Sequence, residues 1–159
     1  MRFRTWSFRF AEEVLNSKLT LKKEIEDIIR SINFSLAEIS RPKLNAAFKK
    51  AFLNKGWKGE ERIFEEPREP LAKIDFIKEK VGVEVAFSHS SFLGIDMLKF
   101  QTLSYSNLDR IDVGVYIVAT SGFHKKKFEG SITFEKVVKY LPHFRSAIQV
   151  PIYVYGLEE

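Results

Sequence analysis

The chain has 159 residues, 45% of them hydrophobic and 30% charged, with 15 Phe and no cysteine. That length suits a single domain over 1–159 with a core of its own, and the missing cysteine excludes disulfides, zinc–thiolate sites and thiol catalysis. The net charge of +5 permits a polyanionic partner without requiring one. No run approaches the ~18 apolar residues of a membrane span, and the first ten residues lack the apolar core of a signal peptide, so a soluble, cytoplasmic protein is expected.

Residues 1–10 alternate basic or polar residues with aromatics, and Phe3, Trp6, Phe8 and Phe10 are expected in the core or at a dimer contact rather than stacked on bases. Leu21, Ile25, Ile28, Ile29 and Ile32 recur at helical spacing and predict a helix over 20–32 with Thr20 as its N-cap. Leu44, Ala47, Phe48, Ala51 and Phe52 predict a second over 43–54, with Pro42 suited to its start. Gly56 and Gly59 break it, and Arg62–Phe64 reads as a short strand. Strands near 71–77 and 81–88 follow, then a helix over 92–104 capped by Ser91. The run 111–119 reads as a strand buried on both faces. After a Gly- and Lys-rich loop over 121–130, Thr133 caps a short helix ended by Pro142, and 148–155 forms the last strand. The order is helix, helix, three strands, helix, strand, helix, strand: an α/β fold with a mixed central β-sheet flanked by helices.

Two carboxylates interrupt this apolar pattern. Asp75 closes one strand, and Glu84 sits inside Gly82-Val83-Glu84-Val85-Ala86-Phe87. Side chains alternate along a strand, so Glu84, Ala86 and Ser88 share one face and Val83, Val85 and Phe87 the other. A carboxylate within a β-branched run is costly unless something uses it. Mg²⁺ takes one or two carboxylates together with water and substrate phosphate, and Asp75, Glu84 and the Val85 carbonyl offer such a set. Glu60, after the Gly56–Gly59 break, is a third candidate. Asp75 as a hairpin-bonding strand end, and Glu60 as one of several acids in a surface loop with Glu61, Glu65 and Glu66, remain the structural alternatives.

These motifs, with Ala11–Asn16, Lys23–Glu26, Trp57-Lys58, Phe92-Leu93, Val150–Ile152 and Tyr155–Leu157, resemble the BglII family of restriction endonucleases, a branch of the PD-(D/E)XK nucleases. The resemblance spans most of the chain. It implies a PD-(D/E)XK core, a Mg²⁺-dependent endodeoxyribonuclease (Mn²⁺ as possible substitute), double-stranded DNA as partner, and a homodimer. It assigns metal binding to Asp75 and Glu84 and places a polar or acidic group near the attacking water at the position of Glu60. Where the family has Gln or Glu this chain has Ala86, which neither orients a nucleophile nor stabilises charge. Lys73 and Ser88 are the candidates to stand in, and a catalytically impaired DNA-binding or assembly protein is the rival reading. The chain stops soon after Tyr155, where longer members continue, so a relaxed or different sequence preference is expected.

DNA contacts are expected from two segments. Ser88 and His89 lie in the polar turn that enters a helix, which in that family touches bases; His89 as an ordinary exposed loop residue stands equally. Lys125, Lys126 and Lys127, between Phe123 and Phe128, suit phosphate contacts. Lys43, Lys49, Lys50, Lys55 and Lys58 form a second basic region of undetermined direction.

Overall fold

Strand alternation at both ends of the chain builds the outer half of the sheet. In the computed structural model, which describes residues 1–34, 38–64, 73–105, 109–123 and 128–158, the aromatic alternation at the amino terminus forms strand β1 (Arg2–Phe8), antiparallel to the final strand β6 (Ile152–Glu158). Three helices follow: α1 (Ala11–Ser17), α2 (Leu19–Ser31) and α3 (Arg41–Asn54). Then come β2 (Lys58–Arg62), β3 (Lys73–Lys78), β4 (Val81–Val85), a 3₁₀ turn (Ser90–Phe92), α4 (Leu93–Tyr105), β5 (Val113–Ala119) and α5 (Phe134–Tyr140). The six strands form one mixed sheet in the order β1-β6-β5-β4-β3-β2. Its centre is parallel, β4 to β5 and β5 to β6, and its flanks are antiparallel.

The expected mixed sheet with flanking helices is present, and several expectations shift. The opening strand β1 was not foreseen. Its partner lies about 150 residues away in sequence, with Arg2 opposite Glu158, so nothing local announces the pairing. Thr20 does not cap α2; the helix starts at Leu19, with Lys18 at the cap position. Ser91 lies inside the 3₁₀ turn, whose cap is the His89 side chain accepting from the Ser91 N–H. The strand expected at 62–64 is centred earlier, at Lys58–Arg62, and the last strand begins at Ile152 rather than 148 because Ala147 and Ile148 bond back to the Phe144 carbonyl. Thr133 caps α5 as expected, its hydroxyl accepting from Lys136 N–H. Ser40 caps α3 in the same way.

Both faces of the sheet are covered, and this three-layer arrangement explains why β5 is buried along its whole length. One face packs α1, α2 and α3 through Leu15, Ile25, Ile29, Phe48 and Phe52 against Val83, Val115, Ile117 and Tyr155. The other packs α4 and α5 through Met97, Phe100, Phe134 and Val137 against Ile74, Tyr116, Val118 and Val154. Both parallel connections, β4–α4–β5 and β5–α5–β6, place their helix on this second face.

Two glycines let those helices approach. A Cβ at Gly114 would sit 2.7 Å from the Phe100 ring, and one at Gly156 would sit 2.6 Å from the Phe134 ring. Phe100 is fully buried, so its ring has no free direction in which to move. Gly114→Ala is therefore expected to destabilise the protein by about 1–3 kcal/mol, the usual range for overpacking. A urea titration checks this; an unchanged midpoint would show that α4 shifts to make room.

Candidate active site

The site lies where β3 leaves β4. The antiparallel ladder between them ends at Phe76↔Val83, one position short of Asp75 and Glu84. Beyond it the Val85 N–H donates to the Asp75 Oδ2 at 2.8 Å, so a side chain replaces the departing backbone as acceptor. This bond places Asp75 beside Glu84, at the next register position after Phe76↔Val83, where the charge of Asp75 acts on the Glu84 carboxyl. The sequence-derived pair is therefore brought together, with Val85 between them.

Glu84 is nearly fully buried, at 4% exposure. It projects to the face covered by α4, where the Lys99 ammonium lies 3.1 Å from its Oε1. The same ammonium lies 3.1 Å from Asp96 Oδ1, and the Tyr116 hydroxyl donates to Asp96 Oδ2 at 2.9 Å. Sequence reasoning missed Lys99, Asp96 and Tyr116. Asp96 and Lys99 read locally as an ordinary i,i+3 surface pair on a helix, and only the buried strand facing α4 changes that meaning. The other polar interruption of the apolar pattern, Tyr116 within β5, was the available signal, because a buried phenol needs a partner.

Glu60 stands elsewhere. The pairs Gly59↔Phe76 and Glu61↔Ile74 bracket Glu60 and Asp75 in the β2–β3 register, but Glu60 itself has a positive φ of 54° and is unpaired in the ladder. Its side chain is exposed and bonded to Lys49 at 2.7 Å. Asn45, Phe48, Lys49, Glu60, Asp75, Phe76 and Val85 line a cleft of about 210 Å³. Asp75 thus stands between two environments, the open cleft with Glu60 and Lys49 on one side and buried Glu84 on the other.

The other candidates divide. Ala86 is buried at 4% in the apolar cluster under α4. Lys73 pairs opposite Arg62 in the β2–β3 ladder, and its charge acts on Glu60. Ser88 and His89 are exposed. Their turn is tied to the segment after the lysine-rich loop: Ser90 N–H donates to the Gly130 carbonyl, Ile132 N–H donates to the Ser88 carbonyl, and His89 pairs with Ser131. Lys125, Lys126 and Lys127 lie outside the described residues, though the bonds to Gly130 and Ile132 bring the stretch just after them against the His89 turn. In the second basic region Lys43, Lys50, Lys55 and Lys58 are exposed, as is Lys49.

Burial dominates the electrostatics. It pushes the Asp75 carboxyl above the ordinary carboxylate range, and pushes Glu84 well above it, with the charges of Asp75 and Asp96 acting in the same direction. Burial also raises Asp96. Burial alone would depress Lys99, but the charges of Glu84 and Asp96 outweigh it and hold the ammonium firmly protonated. The hydrogen bond from Lys49 holds exposed Glu60 below its usual range. Two carboxylates and an adjacent carbonyl suit a hard divalent cation, which completes its shell with water and phosphate. Among the described residues no group of three or more His, Cys, Asp or Glu is placed to enclose a metal.

The pH dependence follows in sign. Because Asp75, Glu84 and Asp96 bind protons more tightly in the folded than in the unfolded state, their contribution to stability is largest below the unfolded carboxylate values of about 4 and is lost as pH rises through the higher folded values. The metal-free protein should accordingly melt at a lower temperature at pH about 8 than at pH about 5, with a shallower slope in Glu84→Gln. A scan of melting temperature against pH measures it; a flat wild-type profile would mean that the three acids are not held above their unfolded values.

Comparison with known proteins bears on the family and the fold. Residues 3–157 match the family model described as restriction endonuclease BglII/BglIII. A comparison with curated protein sequences finds no match. Among solved structures, restriction endonuclease BglII complexed with a DNA 16-mer superimposes with a TM-score of 0.84 at 24% identity, covering 100% of this chain and 79% of that one. Free BglII superimposes with a TM-score of 0.73 at 23% identity, covering 100% and 80%. The fold is that of these endonucleases.

Proposed function

We propose, for a chain that belongs to the BglII/BglIII restriction endonuclease family, a metal-dependent endodeoxyribonuclease that hydrolyses phosphodiester bonds in double-stranded DNA in the manner of a type II restriction enzyme. The observation that carries the reading is the meeting of Asp75 with Glu84 at the opening of the β3–β4 ladder, next to a cleft that reaches solvent. Asp75, Glu84 and the Val85 carbonyl would hold Mg²⁺, with Mn²⁺ able to replace it. A divalent cation there supplies Lewis-acid stabilisation of phosphate charge and acidifies water.

The residues of the chain do the rest. The Val85 N–H holds one oxygen of Asp75 and leaves the other for a cation. Glu60, kept ionised by Lys49, lines the same cleft and is placed to orient water toward phosphorus; an ester oxygen leaves in line as an alcohol. Lys49 offers a positive charge to a phosphate entering the cleft. Ser88 and His89 face DNA from the turn after β4, and Lys125, Lys126 and Lys127 neutralise phosphates. A homodimer on a two-fold symmetric DNA site fits the family, and the exposed Leu98 and Tyr105 on α4 give it an apolar surface.

Cleavage of mixed plasmid DNA in Mg²⁺ or Mn²⁺ tests the reading. Asp75→Asn and Glu84→Gln should each lower the cleavage rate by at least about 100-fold while DNA binding in Ca²⁺ persists. The burial of Ala86 in an apolar cluster favours one second reading, a DNA-binding protein of the same fold without turnover. Binding without cleavage in either metal would select it.

The lysine-rich loop has its own test. Replacing Lys125, Lys126 and Lys127 together by Ala should weaken DNA binding and reduce the slope of log affinity against log salt by about 1 per lysine. An unchanged slope would make the loop ordinary solvated surface.

A further inference from the structure

On β4 the position two residues beyond Glu84 shares its face, and there Ala86 can donate nothing to the carboxylate from its side chain. The helix packed over that face brings a donor instead. Lys99 reaches from α4 to Glu84 Oε1, and it does not reach alone: Asp96, one turn earlier on the same helix, takes the same ammonium, and Tyr116 on β5 holds the other Asp96 oxygen. A lysine has a flexible four-carbon stem and three rotatable donors, so by itself it fixes a carboxylate poorly. The anchor through Asp96 and Tyr116 removes that freedom.

We propose that Lys99 is a positioning residue of the metal site: pinned by Asp96 and Tyr116, it holds one oxygen of Glu84 so that the other is presented beside Asp75, an orienting task that position 86 of this chain does not perform. The proposal rests on the reading of Asp75 and Glu84 as metal ligands. The opposite charges of Lys99 and Asp96 offset one another at the distance of an incoming cation, so the pair adds a donor at Glu84 without the repulsion of a lone ammonium. Carboxylates that bind metals are themselves hydrogen-bonded, and losing such a partner typically weakens metal binding by about 10–100-fold.

The alternative role, a counter-ion that only stabilises the fold, predicts a lower melting temperature and unchanged metal affinity. The double variant Asp96→Asn/Lys99→Met separates the two, since it keeps the net charge of the site and leaves an amide oxygen for the Tyr116 hydroxyl. Mn²⁺ binding to the full chain without DNA, read from the EPR signal of free Mn²⁺ at a temperature where both proteins are folded, should weaken about 10–100-fold. Glu84→Gln identifies the specific site in the same titration. Because the chain has no cysteine, Lys99→Cys can be alkylated at that position alone, in the unfolded state before refolding. Aminoethylation rebuilds an ammonium at lysine length and should restore Mn²⁺ affinity; carbamidomethylation should not.

Wild-type Mn²⁺ affinity in the folded double variant overturns the proposal, as does an aminoethylated protein that binds no better than the carbamidomethylated one. Should the double variant not fold, Tyr116→Phe removes one hydroxyl and no charge; Mn²⁺ affinity is then expected to fall by less than the about 10–100-fold of losing a direct partner, and no change overturns the proposal. A wild type with no Mn²⁺ site sensitive to Glu84→Gln removes the metal reading and the proposal together. A wild type that binds Mn²⁺ with the stated dependence on Lys99 but leaves DNA uncut supports the proposal and overturns the endonuclease reading.

Discussion

One buried carboxylate sets the terms for the second face of the sheet. Glu84 enters a layer that includes Ile74, Met97, Phe100 and Val118, and an uncompensated charge in such a place costs several kcal/mol. The Lys99 ammonium meets part of that cost and creates another buried charge, which Asp96 and Tyr116 then accommodate. The result is a polar line crossing from β4 through α4 to β5 inside an otherwise apolar interface. Breaking such a pair from one side would leave a stranded charge worth about 3–5 kcal/mol. The position of α4 over the sheet is therefore constrained twice, by the close approach of Phe100 to Gly114 and by this line.

The change of strand direction gives the site its opening. β4 pairs antiparallel with β3 and parallel with β5. The β3–β4 ladder must end before β4 does, because the connection to α4 leaves in the other direction, and the first free N–H, on Val85, takes the Asp75 side chain. On the far side of β3 the positive φ at Glu60 interrupts the ladder at the same level. Two irregularities flank Asp75, so backbone that would otherwise close the sheet leaves a cleft. The acid that looks outward and the acid that is buried are adjacent because the sheet loses regular pairing at one point.

Much of this was legible in the chain. The run over 111–119 read as a strand covered on both sides, and Val113–Ala119 is one, buried along its whole length. Thr133 and Pro42 marked helix starts by chemistry that acts within one turn. Glu84 stood out because a carboxylate among Val83, Val85 and Phe87 contradicts the local pattern. What escaped reading depends on distant partners. β1 is fixed by residues at the other end of the chain, and its alternating aromatics suit a strand edge as well as a dimer contact. The limits of β3, β4 and β6 depend on where neighbouring strands depart, which local propensity does not record. Lys99 escaped because a Lys three residues after an Asp on a helix usually faces water.

The division of labour between strand and helix bears on how an active site tolerates substitution. A polar side chain two residues beyond Glu84 would have to fit under α4, where Ala86 is now enclosed by apolar neighbours. A larger polar group there would have to displace apolar neighbours, and the contact of Phe100 with Gly114 holds α4 close to the sheet. The small residue at 86 and the close helix are thus one choice: a tightly seated α4 excludes a long side chain from the strand and at the same time brings Lys99 within 3.1 Å of Glu84. A looser helix would admit the strand residue and withdraw the lysine. In this chain the packing of the second face and the environment of the buried acid are the same structural fact.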